Sequence, residues 1–171
     1  MTAERRFADF YEGALPFQMD RIPKGGMCLS VFLVLWKNDW RNVLLGKVDP
    51  GHDWVRIGAL SKERTERISD RWMLPSSHLL LYESPRDAAK RVSKEQLGLI
   101  WEDVKSQELQ VFSEAYSEPT HWDMEFVFRG ELESLPRSTA WRELRFIDVS
   151  KAPDKEFARS HQDILAEFGL R

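Results

Sequence analysis

Residues 27–36 (MCLSVFLVLW) are apolar at almost every position and rich in branched and aromatic side chains, the pattern of a strand buried on both faces. The polar triplet Lys37-Asn38-Asp39 marks a turn, and residues 41–48 (RNVLLGKV) read as the hairpin partner. Upstream, Ala3, Phe7, Phe10 and Tyr11 fall near one face at helical spacing, and Pro16, Pro23 and Gly25-Gly26 then break regular structure. Residues 49–70 are mostly polar. Within them SKERTERISD reads either as a short surface helix or as an ordered loop covering a pocket. The apolar pieces 72–75 and 78–82 predict short strands.

The clearest element follows. Ser84 is a capping residue, Pro85 suits the first helical position, Asp87 completes a capping box and Gly98 is a natural stop. A helix over 85–97 results, with Ala88, Ala89, Val92 and Leu97 as its core contacts. Residues 107–116 and 121–132 predict two strands joined by a turn at Ser117-Glu118-Pro119. In the second strand Trp122, Met124, Phe126 and Phe128 alternate with His121, Asp123 and Glu125, giving the period of two expected of a half-buried strand. Residues 141–147 form another short strand. Residues 153–168 form a last amphipathic helix with Phe157, Ile164, Leu165 and Phe168 inward. Strands and helices mix without strict alternation, so the fold class is a mixed sheet with helices packed on it, α/β or α+β.

Length and composition fit this picture. The 171 residues suit one domain, and 42% hydrophobic residues supply one substantial core. A net charge of −3, with no Lys/Arg run, argues against nucleic acid as a partner. The single cysteine, Cys28, lies in the first apolar strand; it has no internal disulfide partner and reads as a small core residue. No segment has the length of a membrane span, and the charged start lacks an apolar signal core. A cytoplasmic protein is the expectation.

The segment WMLPSSHLLLYESPRDAAKRVSKEQLGL, residues 72–99, resembles the Nudix box and the W-x-L-P that precedes it. The family pattern is G-x5-E-x7-R-E-U-x-E-E-x-G-U, with U a bulky aliphatic residue. Its leading glycine falls on Ser77, its first glutamate on Glu83 and its arginine on Arg91. The next glutamate falls on Val92 and the aliphatic position on Ser93. The glutamate pair falls on Glu95 and Gln96, and Gly98 and Leu99 match the end. The register has no gap, and Ala88-Ala89 before the arginine is also similar to the family. The hairpin ending in LLGK, the strand holding Glu143 and the last helix with His161 extend the resemblance from about Gly26 to the C-terminus. It implies one domain, 1–171, a mixed β-sheet sandwiched between helices. Residues 1–25 are an extension and 49–70 an insertion.

The resemblance implies a hydrolase of a nucleoside diphosphate linked to another group. In the family, glutamates of the box hold divalent cations against the diphosphate and prepare a water for attack on phosphorus. Here Glu95, Glu83 and Arg91 are the candidate catalytic residues. Glu95 and Gln96 are the candidate metal ligands, and Ser77, His78 and Glu143 the candidate substrate contacts. Val92 offers no ligand and Gln96 only a neutral oxygen, whereas magnesium wants hard, charged oxygens. Magnesium or manganese binding is therefore expected to be weak or lost. The family's paired glycines are Ser76-Ser77 here, and Tyr82 stands where it has glycine before the first glutamate, which suggests an altered loop.

Plainer readings stand beside these. Arg91 and Glu83 form a structural ion pair, or Arg91 pairs with Asp87 or Glu95 along the helix. Glu95 is a solvated residue or the last metal ligand. His121, Asp123 and Glu125 are a solvated strand face or a replacement metal site. Glu114 and Glu118 are surface acids. Trp36, Trp72, Trp122 and Trp141 read as core; Trp40, Trp54 and Trp101 lie in or near loops, where one would stack on a base. The two functional alternatives are an impaired hydrolase and a non-catalytic module. The module would bind a nucleotide-like molecule or a protein, a second copy of the chain included.

Overall fold

The computed structural model describes residues 27–117 and 120–171. The N-terminal helix expected around Phe7 and Phe10, Glu118, and the side chain of His121 lie outside the description. Among the described residues six strands form one mixed sheet, in the order β4-β5-β1-β2-β6 with β3 on β1. The strands are β1 (Met27–Lys37), β2 (Asp39–Val48), β3 (Ser76–His78), β4 (Lys105–Ser117), β5 (Thr120–Glu131) and β6 (Trp141–Asp148). The apolar run of β1 makes it central: it pairs parallel with β5 from Met27↔Trp122 to Trp36↔Glu131, and both its faces are buried. Asn38, at φ 61°, makes the tight turn into β2. The two strands pair only near that turn, at Trp36↔Val43 and Lys37↔Asp39. Beyond it residues 73–78 enter between them. Gly46 and Met73 exchange both backbone bonds, Leu33 N–H donates to the Pro75 carbonyl at 2.9 Å, and β3 then pairs with β1. Gly46 must lack a side chain, because a Cβ there would lie 2.1 Å from the Trp141 ring.

Helices cover both faces, as the fold class predicted. On one side α3 (Pro85–Leu97) sets Ala88, Ala89, Val92 and Leu97 against Val31, Leu33, Leu35 and Leu44. On the other, α4 (His161–Glu167) sets Ile164 and Leu165 in a second core with Phe32, Val34, Val43, Leu45 and Trp72. The α3 boundaries agree with the sequence: Ser84 accepts from Asp87 N–H, and Gly98 closes the helix at φ 67°. Residues 49–70 fold as two short helices, α1 (Trp54–Gly58) and α2 (Lys62–Ile68), capped by Asp53 and Ser61; the helical alternative for SKERTERISD is the observed one. No helix among the described residues is long and apolar enough to cross a membrane.

Several expectations need correction. The strand expected over 78–82 is Ser76–His78 instead. After Leu79 N–H donates to the Leu29 carbonyl the chain turns away, and Glu83 N–H donates to the Leu80 carbonyl. The helix expected over 153–168 is only α4, preceded by a 3₁₀ turn at Asp154–Glu156; Arg159 and Ser160, both at positive φ, interrupt it. The face of β5 expected to meet solvent is buried at Asp123 and Glu125, whereas Trp122, expected in the core, is 55% exposed. Alternation alone does not say which face is wet when both faces carry a helical layer. Trp54 and Trp101, expected near loops, are core residues: Trp54 stands edge-on to Trp141 at 4.7 Å and Trp101 to Phe128 at 5.7 Å. Neither is free to stack on a base.

Trp54 joins the 49–70 segment to the α3-side core, so Trp54→Ala should destabilise the chain by about 3–5 kcal/mol. Urea denaturation measures this; a loss below about 1 kcal/mol would mean that the segment is only loosely attached.

Candidate functional site

The loop before α3 is braced by one bidentate ion pair. Arg91 Nε and Nη2 donate to the two Glu83 oxygens at 2.7 and 2.8 Å, and Glu83 Oε2 also accepts from Leu80 N–H. Arg91 Nη2 donates further to the His78 carbonyl at 2.9 Å, and Nη1 lies 3.4 Å from Ser77 Oγ. Glu83 and Arg91 thus clamp β3 and the helix start. Between them Tyr82 sits at φ 62°, a backbone state glycine takes without strain, with its side chain 98% exposed.

Further along α3, Gln96 is fully buried and uses both ends of its amide. Nε2 donates to the Ile57 and Ser76 carbonyls at 2.6 and 2.8 Å, and Oε1 accepts from Ser76 N–H at 3.1 Å. Next to it Glu95 Oε1 is held by Arg56 Nη1 of α1 at 2.6 Å. Glu95 Oε2 is buried without a hydrogen-bond partner. Ser93 Oγ donates to the Leu99 carbonyl, and Val92 is buried and apolar. This donor set does not fit a divalent cation. One carboxylate remains, a guanidinium already neutralises it, and the neighbouring amide oxygen is committed to a backbone N–H. Among the described residues no group of three His, Cys, Asp or Glu side chains comes together to hold a metal. Sequence reasoning missed Arg56, since a lone arginine in the polar 49–70 segment carries no motif.

The α4 side of the sheet presents a different chemistry. The strand register sets His78, Ser30, Glu125 and Phe112 in one row and Cys28, Asp123 and Glu114 in the next. Phe32 and Val127 of the following row belong to the α4-side core, so these polar rows continue an apolar face. Cys28, Ser30, His78, Asp123 and Glu125 are all buried. Glu125, 3% exposed, has no hydrogen-bond partner among the described residues. Burial pushes its carboxyl up to about 8, and Asp123, Glu114, Asp163 and Glu167 push the same way. Burial likewise raises the Cys28 thiol, with Asp123 adding to it. His161 opens α4 with Nδ1 accepting from Leu74 N–H at 2.9 Å, and burial holds its ring well below the usual histidine range. Glu143 lies elsewhere, on β6 opposite Lys47 and ion-paired with Lys47 and Arg145, whose cations stand over the Trp72 ring. The structure thus separates the candidate residues. Glu95 and Gln96 meet α1, Glu83, Arg91 and Ser77 brace the loop, His78 joins the buried polar rows, and Glu143 belongs to none of the three.

No family model and no curated protein matches the sequence. In structure the chain is similar to the MutT protein from Methanosarcina mazei, with TM-score 0.59 and 13% identity over 86% of this chain and 96% of that one. It is also similar to a MutT Nudix hydrolase from Burkholderia pseudomallei, with TM-score 0.57 and 14% identity over 82% and 96%. A third similar structure is the Nudix domain of Shewanella oneidensis NrtR complexed with ADP ribose, with TM-score 0.54 and 15% identity over 85% and 89%. The chain has the Nudix fold.

Two outcomes follow from this geometry. Gln96→Glu replaces an N–H donor with a carboxylate facing the Ile57 and Ser76 carbonyls; the variant should lose about 2–4 kcal/mol, and an unchanged denaturation midpoint would show that the clasp carries little. Glu125 keeps its proton in the folded chain up to about pH 8, while an unfolded glutamate releases it near 4.5. The folded state then binds more protons in that window, so stability falls as pH rises from about 4.5 to about 8 and levels off above. The full span is worth on the order of 5 kcal/mol. Glu125→Gln, neutral throughout, should flatten the slope; parallel stability curves for the two proteins between pH 5 and 8.5 would sink the idea.

Proposed function

We propose that this chain is a Nudix-fold domain that binds a nucleoside diphosphate derivative and hydrolyses it weakly or not at all. The observation that carries the reading is Glu125: a carboxyl buried beside Asp123, with no hydrogen-bond partner among the described residues. A group of this kind is costly to bury unless something bonds to it. In one row with Ser30, its protonated carboxyl offers a hydrogen-bond donor and an acceptor of its own, the complement of a heterocycle edge bearing both an acceptor and an N–H. The nucleoside end of the ligand would sit there, and the ADP ribose carried by the NrtR domain makes ADP-ribose a natural probe.

Weak hydrolysis rests on the box. Glu95, with Arg56 on one oxygen, and Gln96, with both amide ends taken, are poor ligands for the cation that would activate a water. Glu83 and Arg91 keep their bracing part and need no metal for it.

Isothermal titration of EDTA-treated protein with a panel of nucleoside diphosphates and ADP-ribose tests binding. At least one should bind without metal, and Glu125→Leu should weaken it tenfold or more. The same panel with magnesium or manganese, followed by phosphorus NMR, should release no product above the blank. Turnover with manganese that disappears in Glu95→Gln would instead establish the hydrolase reading; a panel with no binder at all would refute the ligand.

A further inference from the structure

Resting on the reading of a diphosphate-bearing ligand, we propose that Arg56 of the 49–70 segment stands in for the dication of the box, tied to Glu95 by one edge and offering its other edge to a diphosphate, which is held there without metal. Arg56 has the placement for this. Nη1 bonds Glu95 Oε1 at 2.6 Å, while Nε and Nη2 donate no hydrogen bond among the described residues, and the side chain is half exposed. A guanidinium has five N–H donors in a rigid fork suited to phosphate oxygens, so one edge can hold a carboxylate while the other holds an anion. It is also prepositioned. Asp53 accepts from Arg56 N–H, Trp54 Nε1 donates to the Asp49 carbonyl, and Gln96 holds the Ile57 carbonyl one residue on. Asp53 Oδ2 lies 4.0 Å from Nε and is itself well exposed, so water screens most of its pull on the arginine. Carboxylate, cation and phosphate would then stand in the order they take in a metal site, with a single charge on a covalent tether as the bridge.

The test is isothermal titration of the full chain in EDTA with inorganic pyrophosphate, comparing wild type, Arg56→Ala, Arg56→Lys and Glu95→Gln, each checked for folding by circular dichroism. Pyrophosphate should bind wild type, lose tenfold or more in Arg56→Ala and lose less in Arg56→Lys, which keeps the charge but not the fork. Glu95→Gln should tighten binding by removing the carboxylate that competes for the guanidinium, and manganese should add nothing. Equal binding in wild type and Arg56→Ala, or none in wild type while adenosine still binds through Glu125, overturns the role of Arg56 and leaves the nucleoside site standing. Binding that needs manganese and is lost in Glu95→Gln overturns it in favour of a metal. Failure of both pyrophosphate and nucleosides removes the proposed function as well.

Discussion

The buried amide of Gln96 bonds to three backbone groups drawn from α1 and β3 and to none in its own helix. Inside a low-dielectric interior such a fully satisfied amide is strong, and the loss of any one bond leaves a buried polar group exposed to nothing. The rest of the site depends on this constraint. The clasp on the Ile57 carbonyl holds α1 against α3, and α1 in turn brings Arg56 to Glu95. Its hold on Ser76 aligns the start of β3, whose next residues are gripped by Arg91 of the same helix. Gln96 is thus a structural joint between the 49–70 segment and the sheet.

The two faces of the sheet differ in how they carry charge. On the α3 side two acids of the box segment are ion-paired: Glu83 with Arg91 and Glu95 with Arg56. On the α4 side Glu125 lies two residues from Asp123 on one strand face, with Glu114, Asp163 and Glu167 adding to the field that favours its protonated form. Retaining a proton on Glu125 is how the fold tolerates its burial there.

Much of this was legible in the residues. Ser84, Pro85, Asp87 and Gly98 located α3 because capping chemistry is local. The apolar run of β1 announced a central strand, and the spacing from Glu83 to Arg91 announced the bracing pair. What stayed hidden depended on packing between distant segments. Asp123 and Glu125 read as a wet face because nothing within β5 reveals that α4 covers it. Trp54 and Trp101 read as loop residues because their short helices have no period to detect. Arg56 had no signature at all, since its meaning arises only when Glu95 is brought to it from 39 residues away in sequence. Tyr82 was the reverse case: a tyrosine in place of glycine suggested an altered loop, yet its backbone keeps φ 62°, a state glycine takes without strain.

The Gln96 joint also limits which substitutions the chain tolerates. A carboxylate at Gln96 sets a charge against two carbonyls, one at Val92 puts a charge into a packed apolar contact, and the release of Glu95 from Arg56 undoes a tether that keeps α1 in place. Each change alone destabilises the fold, so a cluster of acids at these three positions is reached only together with compensating substitutions elsewhere.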